Sequence, residues 1–267
     1  FDNGSNWGLT ANGTIFTFEF EAIIPGLLEK WFAERKVMQG KMREAIDAGN
    51  KTEEAFWAKR QLVKKINLNS LYGALLNPGC RFFDMRIGQS ITLSGRTITK
   101  HMAAKTNEII TGEYDHQGTG IVYGDTDSVY FSAYPMFAQE ISAGTVPWNK
   151  EAVIQLYDKI AEEVNTTFSN FMFDTFHCIS SRAEVIAAGR EIIAESGLYI
   201  TKKRYAALIY DNEGQRTDVD GKPGKVKAMG LDLKRSDTPV FMQDFLSEIL
   251  MMVLQERSEA DILDRII

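Results

Sequence analysis

The sequence is poor in cysteine and lacks long apolar runs. Its 267 residues include two cysteines, Cys80 and Cys178, and neither lies in a Cys-x-x-Cys pair. Two isolated cysteines cannot build a disulfide framework, so a reducing compartment is the default expectation. No run approaches the roughly 18 apolar residues that a membrane helix needs, so we expect no membrane partner. With 44% hydrophobic and 25% charged residues, the composition is that of a folded globular protein.

The sequence also lacks the features of a natural amino terminus. It begins with Phe1-Asp2-Asn3-Gly4, and its first methionine is Met38. No positively charged start precedes an apolar stretch, so a secretory leader is not expected. We expect instead an interior piece of a longer polypeptide.

The net charge of −6 conceals segments of opposite sign. Residues 60–105 hold eight basic residues and one acidic residue, whereas residues 106–200 hold four basic and fourteen acidic residues. Residues 201–235 are basic again, with nine basic and five acidic residues. A basic surface attracts polyanions, and a small acidic cluster within it can hold divalent cations. Charge runs are, however, more often solvated helix faces.

Hydrophobic spacing predicts an α+β fold. Four long helices are predicted, at about 25–47, 51–74, 87–110 and 151–173. Apolar spacing indicates the first, third and fourth, and a break at Ala48-Gly49-Asn50 with a restart at Lys51 indicates the second. The first two form an antiparallel hairpin, and a further helix is expected to begin at the cap and proline of Asp237-Thr238-Pro239. Strands are predicted at 120–123, 128–131, 198–210 and 225–231. Because helices and strand hairpins are segregated, α+β is favoured over a doubly wound sheet.

The motif Tyr123-Gly124-Asp125-Thr126-Asp127-Ser128 lies between two of these predicted strands. Alternation in a tight hairpin would point Asp125 and Asp127 to the same side. Paired carboxylates can hold hard cations such as Mg²⁺, and a two-metal site uses them to clamp attacking and leaving oxygens. For this motif alone, an ordinary surface turn and the D-x-D of nucleotide-sugar glycosyltransferases are alternatives.

Three polar side chains share one face of the second predicted helix. Lys65, Asn69 and Tyr72 fall within about 60° of arc at 100° per residue. Lysine suits phosphate oxygens, and tyrosine can pack against a base or a sugar. Arg35, on the partner helix, could face Lys65 and add a second phosphate contact. The alternative is an ordinary exposed helix face.

The run Lys202-Lys203-Arg204-Tyr205 is predicted to enter a strand. Consecutive cations there would point to both faces, so at least one could follow a phosphate backbone. The alternative is a solubilising strand edge, since lysines protect edges from aggregation.

The three motifs occur in the order found in one known family. The flanking segments also agree, and they are Ala33-Glu34-Arg35-Lys36, Arg190-Glu191-Ile192-Ile193-Ala194 and Met229-Gly230-Leu231. The sequence resembles family B DNA polymerases, most closely the replicative polymerases of T4-like phages. The resemblance extends from about Asn12 to Leu254.

The resemblance implies a metal site. Asp127 would be the metal-binding carboxylate of the palm, with Asp125 beside it in the same turn. Glu191 is a further candidate near the metals. The implied cofactor is Mg²⁺ in a two-metal site, completed by an aspartate that this chain lacks.

The resemblance also implies contacts with substrates. Arg35 and Lys65 would hold the triphosphate of the incoming dNTP, and Asn69 and Tyr72 would line the pocket of the nascent base pair. The primer strand would be gripped by Lys202, Lys203, Arg204 and Tyr205. The implied partners are therefore dNTP, primer–template DNA and the remainder of the polymerase, including its exonuclease domain.

The implied architecture is a helical-hairpin fingers region on a palm built of an antiparallel sheet with packed helices. Residues 1–23 would be a palm remnant or loop, 24–77 the fingers, 78–233 the palm and 234–267 the start of the thumb. A phage enzyme of this kind would act in the cytoplasm of a bacterial host.

Two departures from the family pattern matter. The family places another metal-binding aspartate upstream of the fingers, in a D-x-x-S-L-Y-P-S motif. Only Asp2 and Asp47 precede Asn69, and neither lies in that context. We therefore expect the isolated chain to be inactive or nearly so. In addition, Gln39 stands where the family has a lysine after the fingers arginine, and Lys36 or Lys41 could substitute for it.

Two alternative functions remain open at this point. One is a split polymerase, in which another polypeptide supplies the missing aspartate. The other is a non-catalytic module that binds primer–template DNA, which steeply salt-dependent DNA binding without nucleotide or metal binding would favour.

Overall fold

The computed structural model describes residues 6–267, apart from the side chains of Ser180, Ser181 and Lys234. Asp2, and with it the first part of the expected palm segment 1–23, lies outside the described residues. The described chain forms two compact units. The first unit contains residues 6–97 and Asn170–Ala183, and the second contains Ile98–Ser169 and Glu184–Ile267.

Helices and antiparallel strands are largely segregated along the chain, which confirms the predicted α+β fold. The helices are α1 (Ile23–Asp47), α2 (Lys51–Leu75), α3 (Met85–Thr111), α4 (Tyr134–Ser142), α5 (Lys150–Phe176), α6 (Ser180–Ala183), α7 (Val240–Leu254) and α8 (Glu259–Ile266). The strands are β1 (Trp7–Leu9), β2 (Ile15–Thr17), β3 (Ile121–Asp125), β4 (Ser128–Phe131), β5 (Ile192–Thr201), β6 (Arg204–Asn212), β7 (Gln215–Arg216) and β8 (Lys225–Met229). None of the helices in this described part is both long and apolar enough to cross a membrane.

In the first unit, α1 and α2 pack as the predicted helical hairpin. The connecting turn uses Gly49 at a left-handed φ of 66°, which glycine adopts without steric cost. The Asn50 side chain then accepts a hydrogen bond from the Glu53 N–H and caps α2. Only Ala45 and Leu75 of the hairpin are fully buried, so most of its side chains stay accessible for binding.

The rest of the first unit joins the β1–β2 hairpin to the start of α3. The Ser90 hydroxyl donates to Asn12 Oδ1 at 3.0 Å, and the Thr10 hydroxyl donates to the same oxygen at 2.8 Å. These bonds fix the loop between the two strands against the buried side of α3, because Ser90 is fully buried.

The second unit is built around β6. This strand pairs with β5 on one side and with β7 and β8 on the other, all antiparallel. Every residue of β6 from Tyr205 to Asp211 is buried. Leu208 packs in one cluster with Leu254 of α7, and Tyr210 packs in another with Val153 of α5. Burial on both sides makes β6 a fixed support for the residues at its ends.

Two sequence predictions were wrong in detail. The segment 198–210 was predicted as one strand, but β5 and β6 are separate strands joined at Lys202 and Lys203. No glycine, asparagine or proline marks this turn, so its composition carried no turn signal.

The predicted side-chain cap of α7 was also wrong. The helix begins at Val240, immediately after Pro239, without a side-chain cap. Asp237 instead accepts hydrogen bonds from Arg235, and the Thr238 hydroxyl donates to the Asp232 carbonyl. Both candidate capping side chains are therefore committed to the segment that precedes the helix.

Candidate active site

Two strand hairpins of the second unit end in two-residue turns. Asp125 pairs with Ser128 across the β3–β4 hairpin, and Thr201 pairs with Arg204 across the β5–β6 hairpin. Each turn contains a residue with a left-handed φ, Thr126 at 55° and Lys203 at 62°. Such conformations cost non-glycine residues about 1–3 kcal/mol, and they persist where neighbouring contacts hold them.

The contacts that hold these turns run between them. The Lys203 backbone N–H donates to the Tyr123 hydroxyl at 2.8 Å, and Lys203 Nζ donates to Asp125 Oδ2 at 3.0 Å. The Asp125 side chain is only 15% exposed, whereas that of Lys203 is 61% exposed. The hydrogen bond from Lys203 lowers the pKa of Asp125, and the same bond raises the pKa of Lys203. The predicted metal turn and the predicted primer-binding turn thus lie side by side.

Four tyrosines pack beneath the two turns. The ring centroids of Tyr123, Tyr130, Tyr199 and Tyr205 lie 5.4–5.6 Å apart in every pairing. The hydroxyls of Tyr130 and Tyr205 share a hydrogen bond of 2.8 Å. Burial raises the pKa of Tyr130, and burial also raises the pKa of Tyr199 to about 12. The cluster therefore joins the two hairpins through neutral, packed rings.

The two aspartates of the β3–β4 turn differ in their surroundings. Both oxygens of Asp125 are engaged, because Oδ2 accepts from Lys203 and Oδ1 accepts from the Thr126 hydroxyl at 3.0 Å. Asp127 is exposed, and its carboxylate has no hydrogen-bond or ion-pair partner among residues 6–267. Alternation along the sequence predicted only that the two carboxylates share one side. The structure leaves Asp127 available to a ligand and gives Asp125 a cationic partner.

The donor chemistry of this turn suits a hard cation. Mg²⁺ binds through one or two carboxylates together with water and substrate phosphates. The exposed Asp127 carboxylate fits such an ion directly, while Asp125 would share its oxygens with Lys203. Across the described residues, no group of three or more His, Cys, Asp or Glu side chains is placed to hold a metal. The Glu191 carboxylate instead accepts a hydrogen bond from Lys227 at 3.3 Å, so its metal role stays a prediction without a supporting contact.

The remaining predicted primer-binding residues lie at the same end of the sheet. Lys202 and Arg204 are exposed, and Arg204 Nε donates to the Gly230 carbonyl at 3.2 Å. Gly230 has a φ of 64°, and a Cβ there would lie 2.1 Å from the Lys203 carbonyl oxygen. A side chain at Gly230 would therefore push against the turn that carries the cations. Tyr205 is buried and supports this turn from below.

The predicted nucleotide-binding residues lie on the helical hairpin of the first unit. On α2, Lys65 and Asn69 are exposed and Tyr72 is half-buried, and all three lack side-chain hydrogen bonds within the described chain. From α1, Arg35 Nε donates to Gln61 Oε1 of α2 at 3.3 Å. Gln61 lies one helical turn before Lys65 on the same face, so Arg35 and Lys65 are brought to one side of the hairpin.

The two candidate substitutes for the missing lysine at Gln39, Lys36 and Lys41, contact aromatic rings of the hairpin. Lys36 Nζ lies 5.4 Å from the Phe32 ring centroid, and Lys41 Nζ lies 4.5 Å from the Trp57 ring centroid. Both lysines therefore lie against aromatic faces of the hairpin.

The tyrosine cluster escaped the sequence-based prediction of the site. One signal was present, since Tyr123 and Asp125 alternate on one strand and so face the same side. Tyr130 lies opposite Tyr123 across the β3–β4 hairpin, and Tyr199 lies opposite Tyr205 across the β5–β6 hairpin. What carried no signal is the meeting of the two tyrosine pairs, because the two hairpins are distant in sequence.

The fold and the motifs define a polymerase-type protein, and comparison with known proteins agrees. Residues 11–267 match the family model described as DNA polymerase family B, so the chain belongs to that family. The predicted resemblance is thereby confirmed.

The chain is similar to several curated polymerases. It is 30% identical over 235 residues to the DNA-directed DNA polymerase of Escherichia phage RB69, an alignment covering 83% of this chain and 25% of that protein. It is 29% identical over 211 residues to the DNA-directed DNA polymerase of Enterobacteria phage T4, covering 75% and 23%. It is 27% identical over 246 residues to DNA polymerase II of Escherichia coli, covering 86% and 26%. The chain thus spans about a quarter of the length of these curated relatives.

Proposed function

We propose that this chain contributes cation-, nucleotide- and primer-binding residues to a DNA-directed DNA polymerase. In that reaction the primer 3′-hydroxyl attacks the α-phosphate of a dNTP and forms a new O–P bond. The bond between the α-phosphorus and the oxygen that bridges it to the β-phosphate breaks, and pyrophosphate leaves. Membership of DNA polymerase family B supports this assignment. The partners are primer–template DNA, dNTP and further polymerase segments, and the site of action is the cytoplasm of a bacterial host.

The observation that carries the proposal is the direct link between the two strand turns. Lys203 bonds to both Tyr123 and Asp125, so the cations of one turn stand beside the carboxylates of the other. A transferring phosphate needs both, because positive groups hold its oxygens while carboxylates hold the neutralising cation. Catalysis of this kind is mainly positioning, which a rigid pair of hairpins provides.

Each residue then has a defined task. Asp127 holds Mg²⁺ with Asp125 beside it, and Mg²⁺ when bound neutralises charge on the phosphate oxygens. The primer backbone is held by Lys202, Lys203 and Arg204 at the β5–β6 turn. These residues belong to the palm, taken as 78–233, with the start of the thumb at 234–267.

The helical hairpin supplies the nucleotide contacts in this proposal. Arg35 and Lys65 bind the triphosphate by charge-assisted hydrogen bonds, and Asn69 and Tyr72 contact the base and sugar. Residues 24–77 form the fingers, whose closure over the nucleotide would exclude water. The exposure of Lys65 and Asn69 supports a role in binding rather than in packing.

Primer extension by the natural polypeptide that carries this sequence tests the proposal. Asp127→Asn should lower single-turnover extension by about 100-fold or more, as loss of a transition-state electrostatic contact does. Primer–template affinity should change less than about threefold, since a neutral side chain of equal size replaces an exposed one. Asp174→Asn removes another exposed carboxylate, on α5, and serves as the control. Equal extension by Asp127→Asn and Asp174→Asn would overturn the assignment.

A further inference from the structure

Aromatic rings and cations gather near the turn of the helical hairpin. The aromatic–cation cluster consists of Lys41 on α1 and Phe56, Trp57 and Arg60 on α2. The Phe56 and Trp57 rings meet edge to face, with centroids 5.0 Å apart at 82°. Phe56 is 49% exposed, so a large apolar ring is presented to solvent.

The two cations of this cluster lie over ring faces. Lys41 Nζ is 4.5 Å from the Trp57 centroid, and Arg60 Cζ is 4.9 Å from the Phe56 centroid. Neither cation pairs with a carboxylate of the described residues. By contrast, Lys51 pairs with Glu54 at 2.9 Å, and Lys64 pairs with Glu34. The charges of Lys41 and Arg60 are therefore available to an anion, although acidic residues exist on the same hairpin.

The charge of the surrounding segment also favours an anionic partner. Residues 36–64 contain seven basic and four acidic residues. A partner that suits the cluster must supply planar groups for stacking and negative charges close to them. Single-stranded nucleic acid does both, since its bases stack on aromatic side chains and its phosphates contact lysine and arginine.

This cluster is separate from the proposed nucleotide-binding face. Phe56 and Lys65 are nine residues apart on α2, which places them roughly 13 Å apart along the axis and about 180° apart around it. A base stacked on Phe56 would therefore lie on the opposite side of α2 from Lys65.

We propose that the aromatic–cation cluster binds the unpaired template strand ahead of the primer terminus. This proposal rests on the proposed polymerase function, because the substrate of that reaction always includes single-stranded template. Phe56 stacks on a base, and Lys41 and Arg60 contact neighbouring phosphates while keeping the rings in place.

Fluorescence anisotropy with labelled primer–template DNA tests this proposal. Two substrates are compared, one with a template overhang of ten thymidines and one with a blunt end. Phe56→Ala should weaken binding of the overhang substrate about fivefold or more, as loss of a stacked base does. Phe56→Tyr keeps the ring and should restore binding. The double variant Lys41→Gln/Arg60→Gln should make the affinity for the overhang substrate less dependent on salt. The slope of log affinity against log salt concentration should fall by the amount that corresponds to about one to two phosphate contacts.

A control variant and the blunt substrate distinguish failure of the cluster proposal from failure of the proposed polymerase function. Lys51→Gln, at the same end of the hairpin but carboxylate-paired, should bind the overhang like the wild type. All variants should bind the blunt substrate equally. If the wild type binds neither substrate, the proposed polymerase function fails. If the wild type binds both, but Phe56→Ala binds the overhang as tightly as the wild type, the cluster proposal alone is overturned.

Discussion

The helical hairpin and the two strand turns hold their polar side chains in different ways. On the hairpin, Lys65 and Asn69 are exposed and have no side-chain partners within the described residues. At the strand turns, Asp125, Lys203 and Tyr205 each contact a second element. A helix places side chains on one face by its periodicity alone, so the hairpin face needs no tertiary contacts to be organised. The two strand turns must be brought together by packing. Substitutions on the hairpin should therefore affect binding, and substitutions at the turns should affect stability as well.

The largest expected effect is on stability, at the tyrosine cluster. Tyr205 is 2% exposed, so Tyr205→Ala should lower the free energy of unfolding by about 3–5 kcal/mol, the usual cost of removing a buried aromatic ring. Tyr72→Ala on the half-buried helix face should cost about 1 kcal/mol or less. Urea denaturation followed by circular dichroism measures both. Equal losses for the two variants would remove the contrast between the regions.

The next effect concerns nucleotide affinity. Lys65→Ala should weaken dNTP binding about tenfold or more, because a charge-assisted hydrogen bond to phosphate is worth about 1.5–3 kcal/mol. Its stability should change by no more than about 0.5 kcal/mol, since the side chain is exposed. Lys59→Ala, on the same helix but away from this face, is the control. A stability loss without a change in nucleotide affinity would contradict the assignment of Lys65.

A smaller effect is expected from one hydroxyl of the tyrosine cluster. Tyr130→Phe removes the hydrogen bond to the Tyr205 hydroxyl and should cost about 1 kcal/mol of stability. The control Tyr134→Phe removes the same hydroxyl group from a residue that is 43% exposed, and it should leave the stability unchanged. Thermal unfolding of the two variants compares them directly. A neutral Tyr130→Phe would mean that the hydrogen bond between the two hydroxyls adds nothing to the packing of the rings.

The smallest effect is the pH dependence of the link between the turns. The pKa of Asp125 is lowered by the hydrogen bond from Lys203, so its stabilisation is present above about pH 4 and fades as the pH falls through the lower folded pKa. The pKa of Lys203 is raised by Asp125, so its contribution is present below about pH 10 and is lost as the pH rises through the higher folded pKa.

Unfolding measurements across this range test the link. The stability difference between the wild type and Asp125→Asn should stay constant between about pH 5 and 9 and shrink outside it. A difference that grows in acid would show that Lys203 is not the partner that matters for Asp125.

The same contrast explains what could be predicted from the sequence. Helices α1, α2, α3 and α5 were predicted to within about three residues at their ends. Apolar periodicity located α1, α3 and α5, whereas α2 was located by the break before it and by Asn77-Pro78-Gly79 after it. The shared face of Lys65, Asn69 and Tyr72 follows from the geometry of an α-helix, at 100° per residue. The family was identified from three short motifs in order, which the match over residues 11–267 confirms.

The parts that escaped prediction depend on contacts between distant residues. The Lys203–Asp125 pair joins positions 78 residues apart, and the Tyr130–Tyr205 pair joins positions 75 apart. Nothing local in the D-T-D motif distinguishes its two aspartates. Their difference arises only when the β5–β6 turn brings a lysine to one of them. The turn at Lys202 and Lys203 was missed for a related reason, since tertiary packing rather than turn composition determines it.

Cation binding at the β3–β4 turn tests the role of Asp127 most directly. Mn²⁺, a paramagnetic substitute for Mg²⁺, can be titrated by electron paramagnetic resonance into the wild type, Asp127→Asn and Asp174→Asn, each with primer–template DNA and dNTP present. We expect Asp127→Asn to weaken Mn²⁺ binding about tenfold or more, since it removes the exposed carboxylate ligand. Asp174→Asn should bind like the wild type. Unchanged Mn²⁺ affinity in Asp127→Asn would contradict the central claim that Asp127 is the carboxylate that this turn offers to the metal.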